Sequence, residues 1–205
     1  MGTSRVLATF FLLALAPALL QSQIIEFESG GLKYQTLTRN GLTIMLARLP
    51  SHVREYSVLQ VAVSNGSGAS QTIRPEDFIY RKLDGISVSA APARRVVDSL
   101  VEKAGRGDVV KLVTAYESGI YGNDRYRATN GYEERRRSFL AEVSSTRIKA
   151  AAAASAIALV QTKLAPGEST DGAVFYVSAG RPMGPGTVTV RAAGAVFEFP
   201  MLLSE

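Results

Sequence analysis

The sequence predicts a mainly β protein with an α insertion: a β-sandwich of about 7–9 strands interrupted by a block of three helices. Three observations carry this reading. Short apolar runs separated by Gly-, Asn- and Asp-bearing turns fill the stretch up to residue 91. From Pro92 the apolar residues recur at intervals of three and four instead of two. After Pro166-Gly167 short alternating runs resume and continue to the end of the chain. Strands on either side of the helices must then pair with one another. The expected division is a signal segment at 1–23, one half of the sandwich at 24–91, an inserted helical block at 92–165 and the other half at 166–205.

The N-terminal segment stands apart from the fold. Met1 to Arg5 carries one positive charge, Val6 to Ala16 is wholly apolar apart from Thr9, Pro17 breaks the run and Gln21-Ser22-Gln23 restores polarity. This is the pattern of a secretory signal peptide, and it is shorter than the ~20 apolar residues that span a bilayer. Ala14-Leu15-Ala16 has the small-residue cleavage pattern but places proline after the cut, so a site near Ser22 fits better. The expectation is an exported chain, periplasmic or extracellular, with no transmembrane helix after cleavage.

The strands follow in order. Leu32 to Thr38 and Leu42 to Ala47 flank Arg39-Asn40-Gly41, and Asn-Gly accepts the positive φ of a tight hairpin. Pro50 to Glu55, with His52, reads as a polar connection. In Tyr56 to Ser64, Leu59, Val61 and Val63 alternate with Gln60, Ala62 and Ser64. Asn65 to Gly68 turns the chain and Gln71-Thr72-Ile73 returns it. Pro75-Glu76-Asp77 makes a corner before Phe78-Ile79-Tyr80, and Asp84-Gly85 turns into Ile86-Ser87-Val88. Beyond the helices, Ala173 to Val177, Thr187 to Arg191 and Ala195 to Phe199 are strands, the last two joined by a tight turn at Ala192-Ala193-Gly194.

In the helical block, Ala93, Val96, Val97, Leu100, Val101 and Ala104 form one apolar stripe that starts at Pro92 and stops at Gly105. Asp108 is placed to cap a second helix bearing Val109, Leu112, Val113, Tyr116 and Ile120. The third is expected to run from Asn130 to about Leu164, ended by Pro166, with Ala150 to Ala154 at its centre and a weak point at Ser144-Ser145-Thr146.

Val61-Ala62-Val63-Ser64-Asn65, Ile73-Arg74-Pro75-Glu76-Asp77-Phe78 and Asp84-Gly85 resemble the first half of exported immunoglobulin-like domains of the DUF4352-like type. Leu164-Ala165-Pro166-Gly167-Glu168 followed by Gly172-Ala173-Val174-Phe175-Tyr176 resembles their second half, and the helical block departs from the pattern. The string as a whole, including Tyr121-Gly122-Asn123 and Thr129-Asn130-Gly131-Tyr132-Glu133, is similar to uncharacterised exported bacterial proteins. The resemblance implies an immunoglobulin-like β-sandwich and an exported location, and carries no activity.

Composition narrows the chemistry. The 205 residues are 46% hydrophobic and 20% charged, as in a globular protein. With no cysteine, disulfides, thiolate metal sites and cysteine nucleophiles are excluded, and one histidine excludes a multi-histidine metal site within one chain. No cofactor is expected. The formal charge is +5, and residues 92–163 hold 13 Lys and Arg against 8 Asp and Glu. That basicity lacks the dense stripe of a nucleic-acid binder.

Two features of the helical block are candidates for function. Tyr116, Tyr121, Tyr126 and Tyr132, interleaved with Arg125, Arg127 and Asn130, combine residue types enriched at recognition surfaces. They would suit an envelope protein or a glycan, against the plainer reading of a connection whose tyrosines pack downward. Phe139, Val143, Thr146, Ala150, Ala153, Ile157, Val160 and Leu164 form a heptad-like seam. The seam would join a second copy or a partner, or would pack on the preceding helices. Arg135-Arg136-Arg137 fans around a helix, Arg106-Gly107-Asp108 is explained by a stop and a cap, and Asn65-Gly66-Ser67 is a glycosylation sequon only in a eukaryotic pathway.

Enzymatic signatures are sparse. A Ser-His-Asp arrangement must use His52, which lacks a nucleophile-elbow context, and Glu76-Asp77 and Glu133-Glu134 suit a turn and a helix start. The expected function is therefore an exported non-enzymatic binding, assembly or stabilising module of the cell envelope. The alternative is a secreted hydrolase using His52 or a carboxylate pair.

Overall fold

The computed structural model describes residues 23–108, 111 and 145–202. The expected signal segment, all but its last residue, lies outside them. The fold is mainly β, with open sheets accompanied by helices. Eleven strands occur among the described residues, against the 7–9 expected. They are β1 (Ile25–Ser29), β2 (Leu32–Arg39), β3 (Leu42–Val53), β4 (Tyr56–Asn65), β5 (Gln71–Ile73), β6 (Phe78–Lys82), β7 (Ser87–Ser89), β8 (Thr162–Leu164), β9 (Ser169–Val177), β10 (Gly186–Ala192) and β11 (Ala195–Met201). Helix α1 spans Ala93–Lys103 and helix α2 spans Thr146–Ile157.

One antiparallel sheet has the order β1-β2-β3-β4-β9, a second β11-β10-β6-β7, and β5 pairs with β8 in a short third. Strands on either side of the helices do pair: β4 with β9, β6 with β10 and β5 with β8. The Asn-Gly hairpin is as expected, with Asn40 at φ 50° and Gly41 at φ 75° between β2 and β3. Ala193 and Gly194, at φ 52° and 68°, make the matching turn between β10 and β11.

The five-stranded sheet is buried on both faces away from its exposed edge strand β1. Leu37, Ile44, Leu46, Leu59, Val61 and Val63 face the second sheet, which answers with Phe78, Val188, Val190, Phe197 and Phe199. The alternate residues Tyr34, Met45, Ala47, Tyr56, Val58, Ala62 and Phe175 form another core with Val96 and Leu100 of α1 and Ala150, Ala151, Ala153, Ala154 and Ile157 of α2. Burial on both sides explains why nine of the ten β4 residues are buried, while its sequence alternates only mildly.

Several expected boundaries move. The N-terminal half begins one strand earlier: Ile25–Ser29 turns through Gly30 and Gly31 onto β2. Pro50 to Glu55 is no polar connection. β3 continues to Val53, with a register shift between Arg48 and His52 that accommodates Pro50, and the turn lies at Arg54, at φ 52°.

Asp108 is no N-cap either. Residues 106–108 are already helical, and the Asp108 carboxylate accepts the Gly105 N–H at 2.8 Å, the reach-back of a third-position acid.

The third helix is shorter than its alanine run and stop signal suggest. Ser145 is extended, with φ −75° and ψ 128°, so the weak point is a helix start. The other end is at Ile157, not Leu164. Ala158 turns extended, and the Leu159 N–H donates to Ala173 O of β9 at 2.9 Å. Leu159 and Leu164 then enter the inter-sheet core, which outweighs the local helical spacing. Gly172 makes this approach feasible, because a Cβ there would lie 2.7 Å from Leu159 Cα.

Candidate functional site

The tyrosine-rich candidates Tyr116, Tyr121, Arg125, Tyr126, Arg127, Asn130 and Tyr132 lie outside the described residues, as do Phe139 and Val143 of the seam. What the structure defines is how the helical layer is rooted. The chain leaves the sheets at Ala91, whose N–H donates to Phe175 O at 2.7 Å. It returns at Leu159, bonded to Ala173 O. Both partners are carbonyls of β9, two residues apart, so the departing and returning chain is pinned at one place on an edge strand. β9 thereby loses its open edge as well.

A second anchor holds α1. The Ser99 hydroxyl donates to Glu55 Oε1 at 2.7 Å, tying the helix to the β3–β4 turn. Burial alone would raise the Glu55 carboxyl pKa. The hydrogen bond from Ser99, a backbone hydrogen bond and the charges of Lys103 and Arg54 outweigh burial and lower it. Tyr56 beside it is raised, first by burial and then by the Glu55 charge.

Part of the described seam is internal. Ala150, Ala153 and Ile157 are buried against α1 and the central sheet. Val160 is no seam residue at all: it follows the helix and is half exposed. Their small size matters, since alanine on α2 lets the helix sit close to a sheet that presents Tyr34, Tyr56 and Phe175.

The hydrolase candidate His52 sits in β3 directly across from Ser57 of β4. Ser57 is 1% exposed, and its hydroxyl lies 3.4 Å from Tyr176 O. This serine is enclosed and turned toward a backbone acceptor, a poor setting for a nucleophile. Glu76 and Asp77 form a single 3-10 turn, with Asp77 raised mainly by burial. Among the described residues no group of three His, Cys, Asp or Glu side chains gathers to hold a metal. No helix among them is long and apolar enough to cross a membrane.

Asn65 has a structural task that its turn-forming sequence only half reveals. It is fully buried, and its Nδ2 donates to Ala69 O and Leu164 O while its Oδ1 accepts from Ser67 N and Ser67 Oγ. Its backbone bonds Glu168 and Gly167, so one residue knots the end of β4 to the Pro-Gly turn between β8 and β9. An amide so engaged is not accessible as a glycan acceptor.

Among the described residues, clefts flank the paired sheets at two places. One, of about 740 Å³, lies under the loop Arg181–Gly186, with Ser57, Tyr80, Lys82, Val177 and Met183 on its walls. The Tyr80 hydroxyl lies 2.9 Å from Gly184 O and 3.1 Å from Pro185 O and holds that loop in place. The other, of about 470 Å³, opens between β1–β3 and the end of β11. Neither was visible in the sequence, because each joins strands far apart in the chain. Comparisons with known protein families, curated proteins and solved structures give no match for this chain.

Proposed function

We propose that the chain is an exported, immunoglobulin-like β-sandwich acting as a non-enzymatic binding, assembly or stabilising module of the cell envelope. Its partner, an envelope protein or a glycan, is contacted through the helical insertion. The observation that supports this most is the rooting of the insertion on Phe175 O and Ala173 O of β9, a strand buried on both faces over residues 172–176. The paired sheets then serve as a rigid base, and the segment between α1 and α2 carries the concentration of Tyr and Arg. The immunoglobulin-like reading draws support from two open antiparallel sheets sharing one core.

Replacing Tyr121 and Tyr126 together by alanine should lower partner recovery in envelope cross-linking by roughly tenfold. The melting temperature should change little. Undiminished recovery would overturn the assignment of the contact to this segment. Export has its own check: N-terminal sequencing of the envelope-associated protein should begin near Gln23, and an intact Met1 would refute cleavage.

A further inference from the structure

The β6–β7 turn, the end of β9 and the loop 178–186 together line the cleft of about 740 Å³. Its walls carry apolar groups that neither core absorbs. Leu83, in the turn, is 77% exposed, and Val177, the last residue of β9, is 48% exposed. Pro182 and Pro185 line the same space, with the buried Met183 between them in the loop. A single exposed apolar residue is ordinary on a protein surface. Apolar groups from three chain segments converging on one cleft of this size mark a ligand site.

The loop is a fixed wall. Arg48 Nη1 donates to Met183 O at 3.1 Å, and the Tyr80 hydroxyl lies 2.9 Å from Gly184 O and 3.1 Å from Pro185 O. Gly186 lies so close to Arg81 O of β6 that a Cβ would collide with it. These contacts engage the carbonyls of residues 183–185, and Pro182 and Pro185 have no N–H to offer. A peptide strand would find few backbone partners along this wall, whereas an alkyl chain needs none.

The charges on the lining are unbalanced. Lys82 and Arg181 both reach the cleft, and neither makes an ion pair among the described residues. Lys82 is half-buried, where an unpaired ammonium is less well solvated than in open water. Asp84 is the single acid on the lining, and its Oδ1 accepts the Ile86 N–H at 2.9 Å. Two cations against one acid leave one positive charge in excess.

We propose that this cleft binds a single-chain anionic amphiphile, an alkyl carboxylate of the fatty-acid type. Its chain lies against Leu83, Val177 and the Pro182–Pro185 wall, and its carboxylate is held by Lys82 and Arg181. A concave space with one surplus positive charge fits a free monoanion better than a flat anionic bilayer. The site stands apart from the partner assigned to the helical insertion, and neither assignment depends on the other.

The test is an NMR titration of the purified protein with decanoate, decanol, decyltrimethylammonium and acetate, beside co-sedimentation with phosphatidylglycerol vesicles. Saturable shifts at Lys82–Asp84 and Val177–Gly184 are expected with decanoate near ~100 µM. Decanol and decyltrimethylammonium, which forfeit the charged contact, should bind roughly tenfold more weakly. Acetate, which lacks the chain, should give no saturable shift. Lys82→Gln and Arg181→Gln should each weaken decanoate severalfold and leave decanol unchanged, whereas Leu83→Ser should weaken both. No saturable shift at these residues, equal binding of decanol, or indifference to all three substitutions would overturn the proposal. Sedimentation with the vesicles without decanoate binding would overturn it in favour of a membrane surface.

Discussion

The two faces of the central sheet are packed by different means. Toward the second sheet, interdigitating Leu, Ile, Val and Phe fill the core, with Phe78, Phe197 and Phe199 fully buried. Toward the helices, the sheet supplies the large residues Tyr34, Tyr56 and Phe175, and α2 supplies alanines. In the first core both partners are large and the sheets stand ~10 Å apart. In the second a small-residue helix settles onto bulky strand residues. The helical layer is therefore held by close approach, by one rooted strand and by the Ser99–Glu55 contact. Among the described residues its larger buried apolar groups are Val96, Leu100 and Ile157.

This difference makes ordered predictions. Phe197→Ala should be the most damaging, at about 3–5 kcal/mol in urea unfolding, because it opens a cavity between two rigid sheets. Loss of less than about 1 kcal/mol would show that the inter-sheet core can collapse around the gap. Ala153→Leu should cost about 1–3 kcal/mol by overpacking. It should act locally: hydrogen exchange ought to speed up in α1 and α2 while β3, β4 and β9 stay protected. Uniform acceleration would mean that the helices and sheets unfold as one unit.

The smallest effect concerns the Glu55 anchor. Its folded-state pKa is lowered, so its contribution is present above the unfolded carboxyl pKa and is lost as pH falls through the folded value. Acid should thus loosen α1 relative to the sheets. Ser99→Ala should remove about 0.5–1 kcal/mol at neutral pH, a modest figure for a half-exposed contact, and should flatten that acid response. An unchanged pH profile in the variant would place the response elsewhere.

Legibility in the sequence followed locality. The Asn40-Gly41 and Ala193-Gly194 turns, the start of α1 at Pro92 and the Pro166-Gly167 turn depend on neighbouring residues, and all are found where the chain spells them. β1 was hidden by adjacency to the signal-like segment and by its glutamates, which suit an exposed edge strand. The extension of β3 through His52 was hidden by Pro50, which a bulge tolerates. The cleft between β1–β3 and β11 was least legible, because Glu26, Gln35, Arg48 and Pro200 meet only through sheet order.

By itself the sequence determined where the chain turns, which stretches alternate, that the helices interrupt a single set of strands, and which metal and thiol chemistries are excluded. Those are matters of local conformational preference and of composition. Only the tertiary structure decided that α2 stops at Ile157, that Ala150 and Ala153 face inward, that Asn65 is a buried knot and that one sheet outgrows the other. Each of these rests on hydrogen bonds or packing between residues distant in the chain, whose energies outweigh the propensities read along it.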